Sequence, residues 1–181
     1  MRDPTMLRRL LLAIVFALSL PAQANLPAQV REGAGLSAAD WRAVGRGELR
    51  WFGLAVYEAT LWVQGERFDR SQPFALALTY ARAIPRDRLV STSVSEMRRL
   101  GWSDEAQLGR WQDELARVFP DVREGDTIVG VSVPGRGARF FHQGRATGEV
   151  ADAEFARAFF AIWLDERTRV PELRAQLLRG S

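Results

Sequence analysis

The sequence predicts an α+β fold in which one antiparallel sheet carries a layer of helices on one face. Two observations lead to this fold class. Segments before residue 84 and after residue 126 are rich in β-branched and aromatic residues. In the clearest of them, residues 74–83, larger and smaller side chains alternate with a period of two residues. Four other segments repeat apolar residues at helical spacing, two between these strand groups and two after them. The chain has no internal repeat, low-complexity tract or linker, so we expect one domain.

The predicted elements follow one another as two or three strands, two helices, three strands and two helices. Pro85 suits the first turn of a helix and Gly101 its end, while Ser103 and Asp152 can cap the helices that follow them. Gly53 separates the first two strands as a hairpin turn. The ranges are a loop over 25–39, strands over 41–52, 54–64 and 74–83, helices over 85–100 and 104–119, strands over 127–133, 138–142 and 146–150, and helices over 153–164 and 171–178.

Residues 1–24 have the pattern of an export signal peptide. Arg8 and Arg9 form a basic start, residues 10–20 are apolar, and Ala22-Gln23-Ala24 is a small-x-small cleavage motif. The apolar run is about half of the roughly 20 residues that a spanning helix needs. We therefore expect a periplasmic or secreted protein with no stable membrane span after signal removal, whose single domain covers 25–181.

The absence of two residue types excludes several kinds of chemistry. The chain has no cysteine, and its 25 lysine or arginine positions are all arginine. Thiol nucleophiles, disulfides and cysteine-bound zinc are excluded, as are Schiff-base catalysis and a Walker phosphate loop. The net charge of +3 falls to +1 when the signal, with its three arginines and one aspartate, is removed. No basic run is long enough for a nucleic-acid site, so we expect no nucleic-acid partner.

The most informative segment is 45–63, in which Arg50 stands at the mouth of an aromatic and aliphatic run. An arginine beside an apolar surface can hold a carboxylate or an enolate through charge-assisted hydrogen bonds. The alternative is a structural arginine paired with Glu48 or Glu58. Tyr57 can donate a phenol hydrogen bond to the same ligand, and Tyr80 can do likewise. The alternative for both tyrosines is packing in the core.

The order of several motifs resembles the bacterial chalcone isomerase-like family. The resemblance covers nearly all of the chain after the signal, and implies an open-faced β-sandwich with an apolar cleft between a large antiparallel sheet and a helical layer. For function it implies either chalcone isomerase-type catalysis or ligand binding, since non-catalytic members resemble fatty-acid-binding proteins and some relatives are described as haem-binding. The motifs are Arg50 with Val56-Tyr57, Ala59 and Leu61-Trp62, then Glu124-Gly125-Asp126, the hairpin 133–137, and 159–164 followed by 173–180.

The chain departs from the polar groups that the resemblance to plant chalcone isomerases implies, which are an arginine with threonine, tyrosine and asparagine. Arg50 matches the arginine. Tyr57 stands at the threonine position, Leu89 near the tyrosine position, Glu96 near the asparagine position, and Ile162 near a late hydroxyl position. This departure argues against chalcone cyclisation and favours Arg50 as a ligand anchor.

Two further side chains are candidates. Thr92 belongs to the hydroxyl-rich run 91–95, which lacks a Gly-x-Ser-x-Gly elbow, and it either lines the cleft or faces solvent. His142 ends a strand before a predicted turn and is the only imidazole in the chain. A haem ligand would have to be His142, and the alternative is a solvated histidine at a hairpin tip.

Three other motifs are interpreted as structural. Gly45-Arg46-Gly47 and Gly135-Arg136-Gly137 lack the strand-to-helix context of a phosphate loop, and both are interpreted as turns. Asp121, Glu124 and Asp126 lack the spacing of an EF-hand and are interpreted as a solvated turn. No metal site is predicted.

The sequence therefore predicts non-catalytic binding of an amphipathic, fatty-acid-like molecule in a cleft between sheet and helices. Arg50 is the expected polar anchor, with Tyr57, Tyr80 and Thr92 as further contacts. An isomerase or lyase that uses Arg50, and a haem-binding protein that uses His142, stay open as alternatives. No cofactor is expected unless the haem alternative holds.

Overall fold

The computed structural model describes residues 26–33 and 41–181, so the predicted export signal lies outside the described residues. The fold is α+β, with six strands and five helices in this part of the chain. In chain order the elements are α1 Ala28–Gly33, β1 Trp41–Trp51, β2 Leu54–Gln64, β3 Phe74–Tyr80, α2 Arg86–Leu100, α3 Glu105–Val118, β4 Thr127–Val133, β5 Gly137–His142, β6 Arg145–Val150, α4 Ala153–Leu164 and α5 Pro171–Leu177.

The six strands form one open antiparallel sheet in sequence order, from β1 at one edge to β6 at the other. Helices α2 and α3 are inserted between β3 and β4, which are nevertheless neighbours in the sheet. The predicted architecture is therefore confirmed. No helix in the described ranges 26–33 and 41–181 is long and apolar enough to cross a membrane.

The two faces of the sheet are buried differently because side chains alternate along each strand. Along β3, the even-numbered residues 74 to 80 join the main core beneath α2–α5, whereas Ala75 packs on the opposite face. That opposite face is covered in part by Leu26 and Val30 of the α1 region. The main core contains most of the aromatic rings, including a stacked pair, Phe155 and Phe159.

The helices begin and end where local chemistry satisfies their free backbone groups. Asp152 accepts hydrogen bonds from the N–H groups of Glu154 and Phe155 and so caps α4 as predicted. Gly101 ends α2 in the left-handed conformation, also as predicted. The predicted cap of α3 was displaced by one residue, because Asp104 rather than Ser103 accepts the N–H of Gln107.

Three further local expectations were wrong. Part of the predicted loop over 25–39 is the helix α1, whose Val30 packs beneath the sheet. Strand β3 stops at Tyr80, since the chain bends there and Ile84 then bridges to Val122 before α2. Gly45-Arg46-Gly47 lies inside β1 and is not a turn. A Cβ at Gly45 would overlap backbone atoms of α5, so these glycines provide space for the last helix.

Candidate functional site

The two tyrosines of the chain form a cross-strand pair beneath the helical layer. Tyr57 of β2 lies opposite Tyr80 of β3, with ring centroids 5.9 Å apart and an interplanar angle of 72°. Trp163 of α4 donates its Nε1–H to the Tyr57 hydroxyl at 2.8 Å. Tyr80 is only 5% exposed, and its hydroxyl makes no hydrogen bond within the described part of the chain. The sequence identified each tyrosine separately, and the sheet register brings them together.

A buried carboxylate from α2 completes this cluster. Glu96 is 9% exposed and pairs with Arg99 at 2.8 Å and with Arg169 at 3.2 Å. Glu96 stands near the position that the resemblance to plant chalcone isomerases equates with an asparagine, and its negative charge acts on the Tyr57 hydroxyl. We call Tyr57, Tyr80, Trp163 and Glu96 the tyrosine cluster.

The tyrosine cluster holds both phenols in their protonated form. Burial raises the pKa of Tyr57 to about 12, opposed by the hydrogen bond from Trp163 and assisted by the negative charge of Glu96. Burial, and then the neighbouring Tyr57, raises the pKa of Tyr80 as well. At neutral pH both groups can donate a hydrogen bond to a ligand oxygen but cannot accept a proton as a general base. Since Glu96 is held by two arginines, the cluster favours binding over proton transfer.

Arg50, the anchor expected from the sequence, lies at the end of β1 beside the hairpin turn. Its side chain is 60% exposed, and Nη1 lies 2.6 Å from Glu48 Oε1. Nε and Nη2 donate to the Gly53 carbonyl at 3.2 and 2.9 Å. No hydrogen bond joins Arg50 to Tyr57 or Tyr80 among the described residues. An incoming carboxylate at Arg50 would have to replace Glu48.

Thr92 is separated from the tyrosine cluster by its position on α2. The buried side of α2 includes Val90, Ser93 and Val94, whereas Thr92 is exposed. Two other positions that the family resemblance singled out, Leu89 and Ile162, are partly buried and pack against the main core.

His142 lies at the predicted hairpin tip, before the turn residues Gln143 and Gly144. Its Nε2 is 3.2 Å from Asp126 Oδ2 and is shielded from solvent. The pKa of Asp126 is held below its usual value, first by the Arg123 N–H and then by His142. A haem iron at Nε2 would have to displace Asp126.

The interpretation of the acidic segment as a turn is confirmed. Asp121 accepts the Arg86 N–H at 2.8 Å, and Asp126 accepts the Arg123 N–H at 2.9 Å. These carboxylates therefore hold the backbone together. Among the residues described, no group of three or more histidine or acidic side chains is placed to bind a metal.

A groove of about 350 Å³ runs along α4, and the sequence did not predict it. Its walls include Phe74, Trp102, Phe160 and Leu164, together with small alanines of α4. Arg70 and Arg157 stand at its rim. We call this cavity the α4 groove. A row of small residues at 153, 156 and 161 beside an aromatic helix face was the available sequence signal, but the opposite wall comes from distant segments.

The two arginines of the α4 groove differ in their partners. Arg70 Nη2 donates to the Leu164 carbonyl at 2.6 Å and so helps to close the end of α4. Arg157 is exposed and makes no hydrogen bond or ion pair with any residue in 26–33 or 41–181. The groove thus offers a largely apolar wall, with the carboxylate of Asp165 also in its lining and the exposed guanidinium of Arg157 beside it. The charge of Arg157 also helps to lower the pKa of Asp152.

Comparison with known proteins connects this geometry to a family. The family model described as chalcone isomerase-like matches residues 44–179. An uncharacterized protein of Haemophilus influenzae is 28% identical over 141 residues, which are 77% of this chain and 69% of that protein. The crystal structure of an Arabidopsis thaliana fatty-acid binding protein superposes with a TM-score of 0.60 at 14% identity, covering 76% of this chain and 86% of the other. At this identity the structural likeness concerns the fold.

Proposed function

The protein belongs to the chalcone isomerase-like family, and on that premise we propose that it binds an amphipathic, fatty-acid-like carboxylate without catalysing a reaction. The observation that carries the proposal is the α4 groove, a largely apolar cavity of about 350 Å³ lined in part by Arg157, whose exposed guanidinium makes no hydrogen bond with the described residues. The fold shared with a fatty-acid binding protein supports the same conclusion.

The size of the α4 groove suggests the length of the ligand. Its volume is at the lower end of the roughly 300–1,000 Å³ that small-molecule sites usually enclose. Each buried methylene contributes about 0.8 kcal/mol, so six of them give roughly 5 kcal/mol before the cost of ordering the chain. A medium-length acyl chain with one charge-assisted anchor is therefore a better match than a long one.

Two other places can hold the acid group. Arg50 is the anchor expected from the sequence, and it would bind a carboxylate by exchanging its partner Glu48. The tyrosine cluster offers the hydroxyl groups of Tyr57 and Tyr80 as neutral donors. These sites are separate enough in the sequence and in the sheet to be tested by individual substitutions.

The experiment is a titration calorimetry series with saturated fatty acids from octanoate to tetradecanoate, supported by native mass spectrometry. We expect Arg157→Gln to weaken binding by about tenfold or more, because it removes a charged hydrogen-bond donor. Arg110→Gln is the matched control, since Arg110 is an exposed arginine of α3 outside the groove. Arg50→Gln and Tyr80→Phe measure the two other anchors.

The outcomes distinguish whether the protein binds fatty acids from where it binds them. If no fatty acid binds the wild-type protein, the proposed function is wrong. If binding is lost only in Arg50→Gln or in Tyr80→Phe, the function stands and the α4 groove is not the site.

We also propose that the protein is exported, because residues 1–24 carry the basic start, apolar run and cleavage motif of a signal peptide. Mass measurement of the protein recovered from cell fractions tests this. We expect a chain that starts at Asn25 outside the cytoplasm, and an intact chain inside the cytoplasm would contradict the prediction.

A further inference from the structure

We propose that the tip of the β1–β2 hairpin docks the protein on the surface of a lipid bilayer. The hairpin tip is the segment Trp51–Leu54, at the end of the sheet edge formed by β1 and β2. This proposal stands on the hairpin alone and does not depend on the ligand of the α4 groove.

The hairpin tip exposes three large apolar side chains to solvent. Trp51, Phe52 and Leu54 are 63%, 91% and 61% exposed, and they are the large hydrophobic side chains in the described part of the chain that lie in solvent. The rings of Trp51 and Phe52 contact each other edge to face, with centroids 5.3 Å apart. Aromatic side chains at a projecting tip are typical of contacts with the interface of a membrane.

The backbone conformation of the hairpin tip is unfavourable for Phe52 when the protein is alone in solution. Trp51 pairs with Leu54, so Phe52 and Gly53 form a two-residue turn, with φ of 48° and 80°. Such turns favour asparagine or aspartate followed by glycine, because both positions need positive φ. A bulky aromatic residue at positive φ is a conformational outlier, and Phe52 gains no burial in return. A strained and solvent-exposed aromatic residue indicates contact with a molecule other than its own chain.

The charges around the hairpin tip match an anionic lipid surface. The two nearby glutamates are already neutralised, Glu48 by Arg50 and Glu58 by Arg46. Arg82 follows Ala81, whose N–H bonds to the Val56 carbonyl at the base of the hairpin. Arg82 has no hydrogen-bond or ion-pair partner within the ranges described. An apolar tip beside an available arginine combines the two attractions that hold peripheral proteins on membranes.

The size of the patch argues for a membrane rather than a protein partner. A fully exposed aromatic side chain offers roughly 150–250 Å², so the three exposed side chains present roughly 400 Å² in total. Stable protein interfaces bury about 800 Å² on each partner, and a second copy of the chain on this tip would fall well short. A convex tip with a small apolar area is suited to entering the headgroup region of a bilayer.

The experiment measures sedimentation with vesicles of phosphatidylcholine, alone and mixed with phosphatidylglycerol, using the protein recovered from cells that express the full chain. Tryptophan fluorescence is recorded in parallel, because Trp51 is the most exposed of the six tryptophans. We expect binding that is stronger on the anionic vesicles and a shift of the emission to shorter wavelength.

Phe52→Asn is the decisive variant, because asparagine tolerates positive φ and the fold should be kept. We expect the vesicle partition coefficient to fall by roughly tenfold or more, since the most exposed aromatic ring is lost, while the melting temperature stays equal or rises. Arg82→Ser should lower partitioning onto anionic vesicles by about fivefold and leave neutral vesicles unaffected. Arg110→Ser, an exposed arginine on α3, is the control with the same change of charge.

Three results would overturn the proposal. One is a wild-type protein that binds neither kind of vesicle. Another is a Phe52→Asn variant that folds and partitions like the wild type. The third is self-association in solution that Phe52→Asn abolishes, with no lipid binding, because it would assign the hairpin tip to a second copy of the chain.

Discussion

Raising the pH towards 12 should destabilise this protein through its two tyrosines. The chain has no cysteine or lysine, and its only tyrosines are Tyr57 and Tyr80. Arginine side chains keep their charge over this range. Between about pH 9 and pH 12 the tyrosine cluster therefore contains the only side chains expected to titrate, so the response can be assigned without correction for other groups.

The magnitude follows from the difference between folded and unfolded pKa values. The pKa of Tyr57 is about 12 in the folded protein, mainly because of burial, and about 10 in an unfolded chain. A raised folded pKa means that its stabilising contribution is complete below pH 10 and is lost as the pH rises through 12. Two pKa units correspond to roughly 3 kcal/mol for Tyr57. The pKa of Tyr80 is also raised by burial. Over the pH range in which both phenols ionise only in the unfolded chain, the free energy of unfolding therefore falls by up to about 2.7 kcal/mol per pH unit.

Urea denaturation at stepped pH values measures the free energy of unfolding, and ultraviolet difference spectroscopy measures tyrosinate formation. We expect no tyrosinate in the folded protein near pH 10, and its appearance together with unfolding at higher pH. Tyr57→Phe should remove about half of the slope. Tyrosinate that forms with a midpoint near pH 10, while the circular dichroism stays native, would refute the burial of these hydroxyl groups.

Three substitutions test the packing that positions the site. Gly45→Ala should destabilise the fold by about 1–3 kcal/mol in thermal denaturation, because the new methyl group overlaps the Leu177 carbonyl. Gly109→Ala should instead stabilise it by about 0.8–1 kcal/mol, since this helical glycine faces open space, and a loss of stability there would contradict the reasoning. Asp152→Ala should lower the free energy of unfolding by about 2–3 kcal/mol, because it removes the cap of α4 and the acceptor that lies 2.9 Å from the Trp111 Nε1–H. An unchanged unfolding midpoint would show that the cap is dispensable.

Much of the fold could be predicted because its signals are local. The bounds of β2 and β4 match the predicted ranges, since glycine, proline and charged residues border apolar runs on both sides. The capping of α4 by Asp152 was likewise visible in the sequence. The cap of α3 shows the limit of such reasoning, because Ser103 and Asp104 are adjacent and have the same capping chemistry, so the sequence alone does not choose between them.

The candidate site was harder to predict because its parts are distant in the sequence. Tyr57 and Tyr80 were recognised as aromatic strand residues, but their pairing depends on the register of β2 and β3. The α4 groove combines Phe74, Trp102 and residues of α4, which no periodicity relates. Arg50 was identified for its chemistry, whereas its hydrogen bonds to Glu48 and Gly53 are set by the turn geometry of the hairpin.

The way the C-terminal residues cover the first strand has a practical consequence. An open sheet edge recruits extended segments of other chains, and β1 is such an edge. Gly180 donates its N–H to the Val44 carbonyl at 2.9 Å, and the backbone of α5 lies against Gly45. Residues 176–180 therefore cover part of the β1 edge. Tags or fusions attached after Ser181, and truncations before Pro171, are expected to expose that edge and to promote aggregation.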